Sequence, residues 1–300
     1  MTNKKIVWAQ DISPFDFQGG AELNDKAKII EGIRQGYDIN ILTPETYSKK
    51  AIDNSDLVIL SNCARFSKEQ LNFETPFIIY HHDYHFICCW RLYYPVGEKC
   101  KQGVAKSCNS WQRNLIKKAK LNIFLSDLHR KAHQYCIPEI TLENSKCIPS
   151  SIDTEFFKPV QNVERAKDYL YVGVIDNFKG IDNILIYAQE NKIKVDFYGY
   201  EQNTELCDKI TTQGHSICGK IDYYKLPELY SKYKYAIHLP EHIEPYGRFC
   251  IEALLCGCKV ITNTNNGAFS YPFMENSLDE IRRTLSCASI GFWEEIEKLK

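Results

Sequence analysis

The chain has 300 residues, 44% of them hydrophobic and 25% charged, with a formal net charge of −1. That length allows two domains with a core each, and that balance provides no general field to draw in nucleic acid or an anionic membrane. Thirteen cysteines are many and odd in number. No apolar run reaches the ~20 residues that span a bilayer, and the start of the chain lacks an export-signal core, so a cytoplasmic protein with reduced core thiols is expected rather than a disulfide framework.

In chain order, residues 6–9 read as a buried strand and residues 21–36 as the helix that follows. Residues 38–42, 57–60, 77–80 and 121–125 are further short, β-branched runs with room for helices between them. A parallel sheet with helical crossovers is the arrangement that buries such runs on both faces. Residues 148–159, with two prolines among small polar residues, read as an interdomain connection able to act as a hinge. Alternation then restarts with strands predicted at 169–174, 194–198, 216–218, 235–239 and 259–262. The expected fold is α/β, two Rossmann-like parallel-sheet domains facing a cleft, at 1–150 and 151–285, with a terminal helix at 286–300 able to pack back on the first.

The segment from Glu244 to Gly257 carries the densest chemistry. Pro245 keeps Glu244 out of helical conformation, and Gly247 lets backbone approach a ligand beside Tyr246. A helix from Arg248 places Glu252 in its second turn and stops at Gly257. Its N-terminus favours a phosphate, while the two carboxylates suit sugar hydroxyls. The plain alternative is a surface loop before an ordinary amphipathic helix.

The run from Glu244 to Ile261 closely resembles the Glu-x7-Glu signature of retaining glycosyltransferases of the GT-B fold, family 4. The resemblance implies that Glu244 contacts the transferred sugar and Glu252 the ribose of a nucleoside-diphosphate sugar, UDP- or GDP-linked, with no metal or other cofactor required. Gly19 and Gly20, before Ala21-Glu22, match the family's glycine pair beside the donor pyrophosphate and the acceptor. Gly173 and Lys179-Gly180 match its Val-Gly-Arg…Lys-Gly motif, except that Val174 stands where an arginine is expected. Arg248 is the nearest substitute for that missing diphosphate cation.

His82 and Asp83, following strand 77–80, resemble the family's His-Asp-Tyr segment. His82 is then expected to orient the sugar, and either residue is a conceivable general base. The resemblance implies transfer of a hexose, with retention, to a hydroxyl on a glycan, lipid or small molecule. A sugar-nucleotide epimerase or hydrolase of the same fold, and a sugar-binding scaffold without catalysis, are the alternatives.

Two features stand apart. His81, His85, Cys88, Cys89, Cys100 and Cys108 are enough ligands for zinc, but without a clean C-x2-C pair they read as well as core thiols. Residues 91–120 hold eight Lys/Arg against Glu98, read as a solvated face or a peripheral membrane contact. No nucleic-acid module accompanies them.

Overall fold

The computed structural model describes residues 4–88, 91 and 110–299. In chain order the elements are β1 (Lys5–Ala9), α1 (Gly20–Arg34), β2 (Asp38–Leu42), α2 (Lys49–Asp53), β3 (Leu57–Leu60), β4 (Phe77–Tyr80), α3 (Ser110–Lys118), β5 (Asn122–Phe124), α4 (Asp127–Cys136) and β6 (Ser145–Cys147). They continue as β7 (Lys167–Val172), α5 (Ile181–Asn191), β8 (Val195–Tyr198), α6 (Thr204–Thr212), β9 (Ser216–Ile217), α7 (Leu226–Ser231), β10 (Tyr233–His238), α8 (Arg248–Leu255), β11 (Lys259–Thr262), α9 (Leu278–Ser286) and α10 (Ala288–Glu297). The chain divides into two compact units. One takes the described residues up to Ser151 together with those from Arg283 onward, and the other is Ile152–Arg282.

The first unit holds a six-stranded sheet in the order β2-β1-β3-β4-β5-β6, with every pair parallel. β3 and β4 are buried at every position, the pattern of strands covered on both faces. The expected strands at 38–42, 57–60 and 77–80 stand at those residues, whereas β6 carries no apolar run and was not anticipated. α10 packs on α1: the Trp293 indole donates to the Lys28 carbonyl at 2.7 Å and stacks on Tyr37 at 4.4 Å. α1 also buries polar side chains, all matched. Lys28 Nζ donates to Asn24 Oδ1 and Ser151 Oγ, both at 2.9 Å, and lies over the Tyr80 ring.

The second unit holds five parallel strands in the order β11-β10-β7-β8-β9. Its core joins Tyr171, Ile181, Ile184, Leu185, Phe197 and Ile237. β7 and β10 begin two residues ahead of their expected starts because β7 Lys167 registers with β10 Tyr233, extending the ladder over polar residues.

Cys63, Cys88, Cys207, Cys250, Cys256 and Cys258 are free and buried, but Cys218 and Cys287 are exposed, so not every thiol is a core residue. Among the described residues no group of three or more His, Cys, Asp or Glu is placed to hold a metal. Cys89, Cys100, Cys108 and most of 91–120 lie outside the described residues. Of the basic segment, Lys117 pairs with Glu139 at 2.6 Å and Arg113 donates to the Ile87 carbonyl. No described helix is long and apolar enough to cross a membrane.

A histidine cluster fills the first unit beside β4 and β5. His81 stacks on Phe124 at 4.4 Å and lies 4.7 Å from His133, both rings fully buried. Burial, then the neighbouring histidines, holds both well below the usual imidazole range, with Asn122 pulling His81 the other way. The unfolded chain therefore binds protons at a pH where the folded chain does not. Stability present above about pH 6.5 falls as pH drops through that value, by about 1.4 kcal/mol per unit per histidine. The loss between pH 7.5 and 5.5 is expected to be about 3 kcal/mol for the pair. Urea titrations across that range are expected to show at least this loss, since burial also lowers His238, His242 and His215, and His81→Phe is expected to remove about half of the pair's share. A flat profile would mean that the rings share protons with something else.

Candidate functional site

Each sheet reverses strand order at one point, and the carboxyl end of a parallel sheet at that point is where α/β proteins place ligands. In the first unit the reversal lies between β1 and β3, and in the second between β7 and β10. The polar residues singled out from the sequence collect at these two places.

In the first unit, Gly19 is the N-cap of α1 and Gly20 its first residue. A Cβ on Gly19 would meet the Glu22 carboxylate at 2.2 Å, so the acid folds back over the helix start. Burial raises the Glu22 carboxyl, against the pull of its own amide and of His82. A helix start faced by its own carboxylate has less to offer a phosphate than the bare glycine pair suggests. His82 Nε2 lies 2.7 Å from Asp25 Oδ1, and Ser61 Oγ donates to the other oxygen at 2.6 Å. The imidazole is thus oriented by a carboxylate from α1, a partner that sequence reading missed. Asp83 is turned onto its own loop: Oδ1 accepts from the His85 backbone at 2.8 Å and faces His85 Nδ1 at 2.9 Å, while Oδ2 pairs with Arg91. Burial would raise its carboxyl, but His85 and Arg91 overcome that and hold it well below the usual range. So held, Asp83 is an ionised anchor of its own loop.

In the second unit, Gly173 follows β7 and a tight turn at Asn177–Lys179 leads to Gly180. Gly180 has φ of 74°, and a Cβ there would meet the Leu239 carbonyl at 2.0 Å, so only glycine brings this turn against the end of β10. The contact sets Lys179 beside Glu244: Nζ donates to Oε2 at 2.9 Å. Burial raises the Glu244 carboxyl, yet Lys179 first, then His242 and His238, bring it down to about 2. His238 and His242 are site residues that the sequence reading did not pick out. The Glu244 backbone is clamped by the loop after β11, donating to the Asn265 carbonyl at 2.8 Å and accepting from Gly267 at 2.9 Å.

Gly247 caps α8 with φ of 76° and ψ of 51°, and a Cβ there would meet Asn266 Oδ1 at 2.5 Å. Tyr246, just before it, is buried with a hydroxyl that has no partner among the described residues. Arg248, expected as a diphosphate cation, is engaged one turn along its own helix: Nε donates to Glu252 Oε1 at 2.6 Å. Glu252 is 4% exposed, and Tyr230 approaches its other oxygen at 3.5 Å. Burial outweighs Arg248 here and raises the carboxyl. The two glutamates are thus shifted in opposite directions, Glu244 ionised against a lysine and Glu252 desolvated around an arginine. The Val174 carbonyl accepts from the Tyr171 hydroxyl at 2.9 Å.

Residues 152–271 match the family model described as glycosyl transferases group 1. The structure of AviGT4, a glycosyltransferase involved in avilamycin A biosynthesis, is similar with a TM-score of 0.67 at 15% identity, covering 99% of this chain and 98% of that one. The fold is that of the GT-B glycosyltransferases. A glycosyltransferase from Rickettsia africae aligns over 100% of both chains with a TM-score of 0.63 and 13% identity. The Anabaena protein HepE, in complex with UDP and glucose, aligns over 97% of this chain and 95% of its own, at 0.61 and 16%. No curated protein matches the sequence. Within this GT-B chain, the segment matched by the family model contains Gly173, Lys179, Glu244 and Glu252.

Proposed function

We propose that the protein is a family 4 glycosyltransferase that moves a hexose from a nucleoside-diphosphate sugar to a hydroxyl acceptor with retention at the anomeric carbon. The observation that carries this reading is the Lys179–Glu244 pair, 2.9 Å apart beside the start of α8 at the reversal point of the second sheet. Lys179 and the amides at the start of α8 face the departing diphosphate, where negative charge grows as the glycosidic bond breaks. Glu244 accepts from hydroxyls of the sugar, and Glu252, held by Arg248, accepts from those of the ribose. His82, held by Asp25, orients the sugar, while Asp83 keeps the loop that carries it in place. The proton of the acceptor hydroxyl passes to the leaving phosphate, which needs no carboxylate base. HepE, solved with UDP and glucose, supports a UDP-linked donor. Lys179 and a helix start supply the positive charge, so the reading needs no metal.

The acceptor is a hydroxyl of a glycan, lipid or small molecule. The test is a thermal-shift screen against UDP-, GDP- and ADP-sugars, followed by product analysis with EDTA present. A donor at a hundredfold its Kd is expected to add about 2.7 kcal/mol, several degrees in Tm, and transfer is expected to survive chelation. No shift with any nucleotide sugar would overturn the reading, and free sugar as sole product would point to a hydrolase.

A further inference from the structure

The loop that leads from β1 to α1 displays an apolar rim at the ligand end of the first sheet. Ile12, Phe15 and Phe17 are 40%, 48% and 54% exposed. One exposed apolar side chain is ordinary, but three within six residues of one loop form a patch. The loop is built to hold them out. The Asp11 carboxylate accepts from the Ala64 and Arg65 amides at 3.0 and 2.7 Å, which ties it to the loop after β3, across the strand reversal. A turn follows, in which the Asp16 amide donates to the Ser13 carbonyl at 3.1 Å. The rim adjoins the polar residues of the site. A Cβ on Gly19 would meet the Phe17 ring at 2.8 Å and the Glu22 carboxylate at 2.2 Å, so ring and acid flank the same glycine. Glu22 in turn lies within electrostatic reach of His82.

This end of the first unit is ill suited to an anion. Glu22 folds over the start of α1, Arg65 is paired with Glu45, and Arg91 with Asp83. Lys179, the cation proposed to meet the diphosphate, belongs to the second unit, which leaves the ligand end of the first to the acceptor. We propose that the acceptor is a hydroxyl compound with an alkyl chain, its polar head entering the site and its chain lying over Ile12, Phe15 and Phe17. An alkyl chain fits better than an aryl group. The Lys26 ammonium already stands over the Phe15 ring at 5.4 Å, and Phe17 packs on Gly19, so the rim offers apolar area rather than an open stacking face. The inference names the acceptor class within the glycosyl-transfer reading and rests on it.

The experiment measures binding of methyl, hexyl, octyl and phenyl glucosides to the full chain by ligand-observed NMR, below their micellar concentrations, with nucleotide-sugar thermal shifts alongside. Burying a methylene is worth about fourfold in affinity, so covering about two of them makes octyl glucoside bind roughly tenfold or more tighter than methyl glucoside. That ratio does not depend on the fraction of folded protein. It is expected to fall to about threefold or less when Phe15→Ser and Phe17→Ser are combined, and to persist when Phe15→Leu and Phe17→Leu keep the apolar area. Equal binding of methyl and octyl glucosides by the wild type, a ratio untouched by the serine pair, or phenyl glucoside binding tighter than hexyl would overturn the proposal. So would sedimentation with phosphatidylcholine vesicles that the serine pair abolishes, which would make the rim a membrane anchor instead. A wild type that no nucleotide sugar stabilises would remove the glycosyl-transfer reading itself, whatever the glucosides do.

Discussion

Lys179→Met is expected to lower the turnover of sugar transfer by about 10²–10³-fold, the usual effect of removing one group aimed at developing charge. A helix start contributes only ~0.3–1 kcal/mol towards an anion, or up to ~2 in a partly buried geometry. The lysine is asked for about 2.7–4. With Val174 in place of a second cation, α8 alone cannot cover the loss. The variant also carries a signature in pH. Glu244 sits at about 2 because Lys179, His242 and His238 together outweigh its burial. A carboxyl lowered in the folded state contributes stability above its ordinary value near 4.5 and loses it as pH falls through about 2. Without the ammonium, burial is opposed only by two histidines, and the carboxyl moves up. The acidic limb of kcat/KM is therefore expected to shift to higher pH in Lys179→Met and to stay put in a control at an exposed lysine such as Lys225. If turnover falls without that shift, Lys179 serves the diphosphate and leaves Glu244 alone. If turnover is unchanged, it serves neither.

The architecture was legible because its signals are local. Short β-branched runs bounded by turn residues, such as Leu57–Leu60 and Phe77–Tyr80, have one economical arrangement, a parallel sheet buried on both faces. β6 escaped because Ser-Lys-Cys at a sheet edge has no apolar run to report. In the site, the glycines were legible as types but not in their reasons. That Gly180 presses on the Leu239 carbonyl depends on a strand about 60 residues on. His82 was legible as a polar residue at a strand end, while its partner Asp25 lies 57 positions earlier. Asp83 looked equivalent to His82 until the fold brought Arg91 onto it. Arg248 and Glu252 show a pairing that was legible but not read. Their i,i+4 spacing on a helix announces an ion pair, which the fold forms at 2.6 Å.

The same pair sets the second large effect. Arg248→Met is expected to destabilise the unit that carries it by about 3–5 kcal/mol, because it leaves a buried carboxylate without its cation. An exposed i,i+4 pair contributes only ~0.3–0.5 kcal/mol, so the size of the loss tells a buried pair from a surface one. Its dependence on pH has a definite sign. Burial already raises the Glu252 carboxyl, and losing Arg248 raises it further. A carboxyl raised in the folded state keeps full stability below its unfolded value and loses it as pH rises towards the folded one. The penalty of Arg248→Met, measured against the wild type at each pH, is therefore expected to be largest at neutral pH and to shrink towards about pH 4.5. The histidine cluster does not confuse this comparison, since it destabilises both proteins equally in acid. Adding Glu252→Leu to the variant is expected to restore most of the stability, as buried pairs replaced by apolar groups often are restored, without restoring donor binding. A penalty near ~0.5 kcal/mol, or one that does not vary with pH, would mean that water reaches Glu252 in the absence of Arg248 and would return the arginine to the role of a diphosphate ligand.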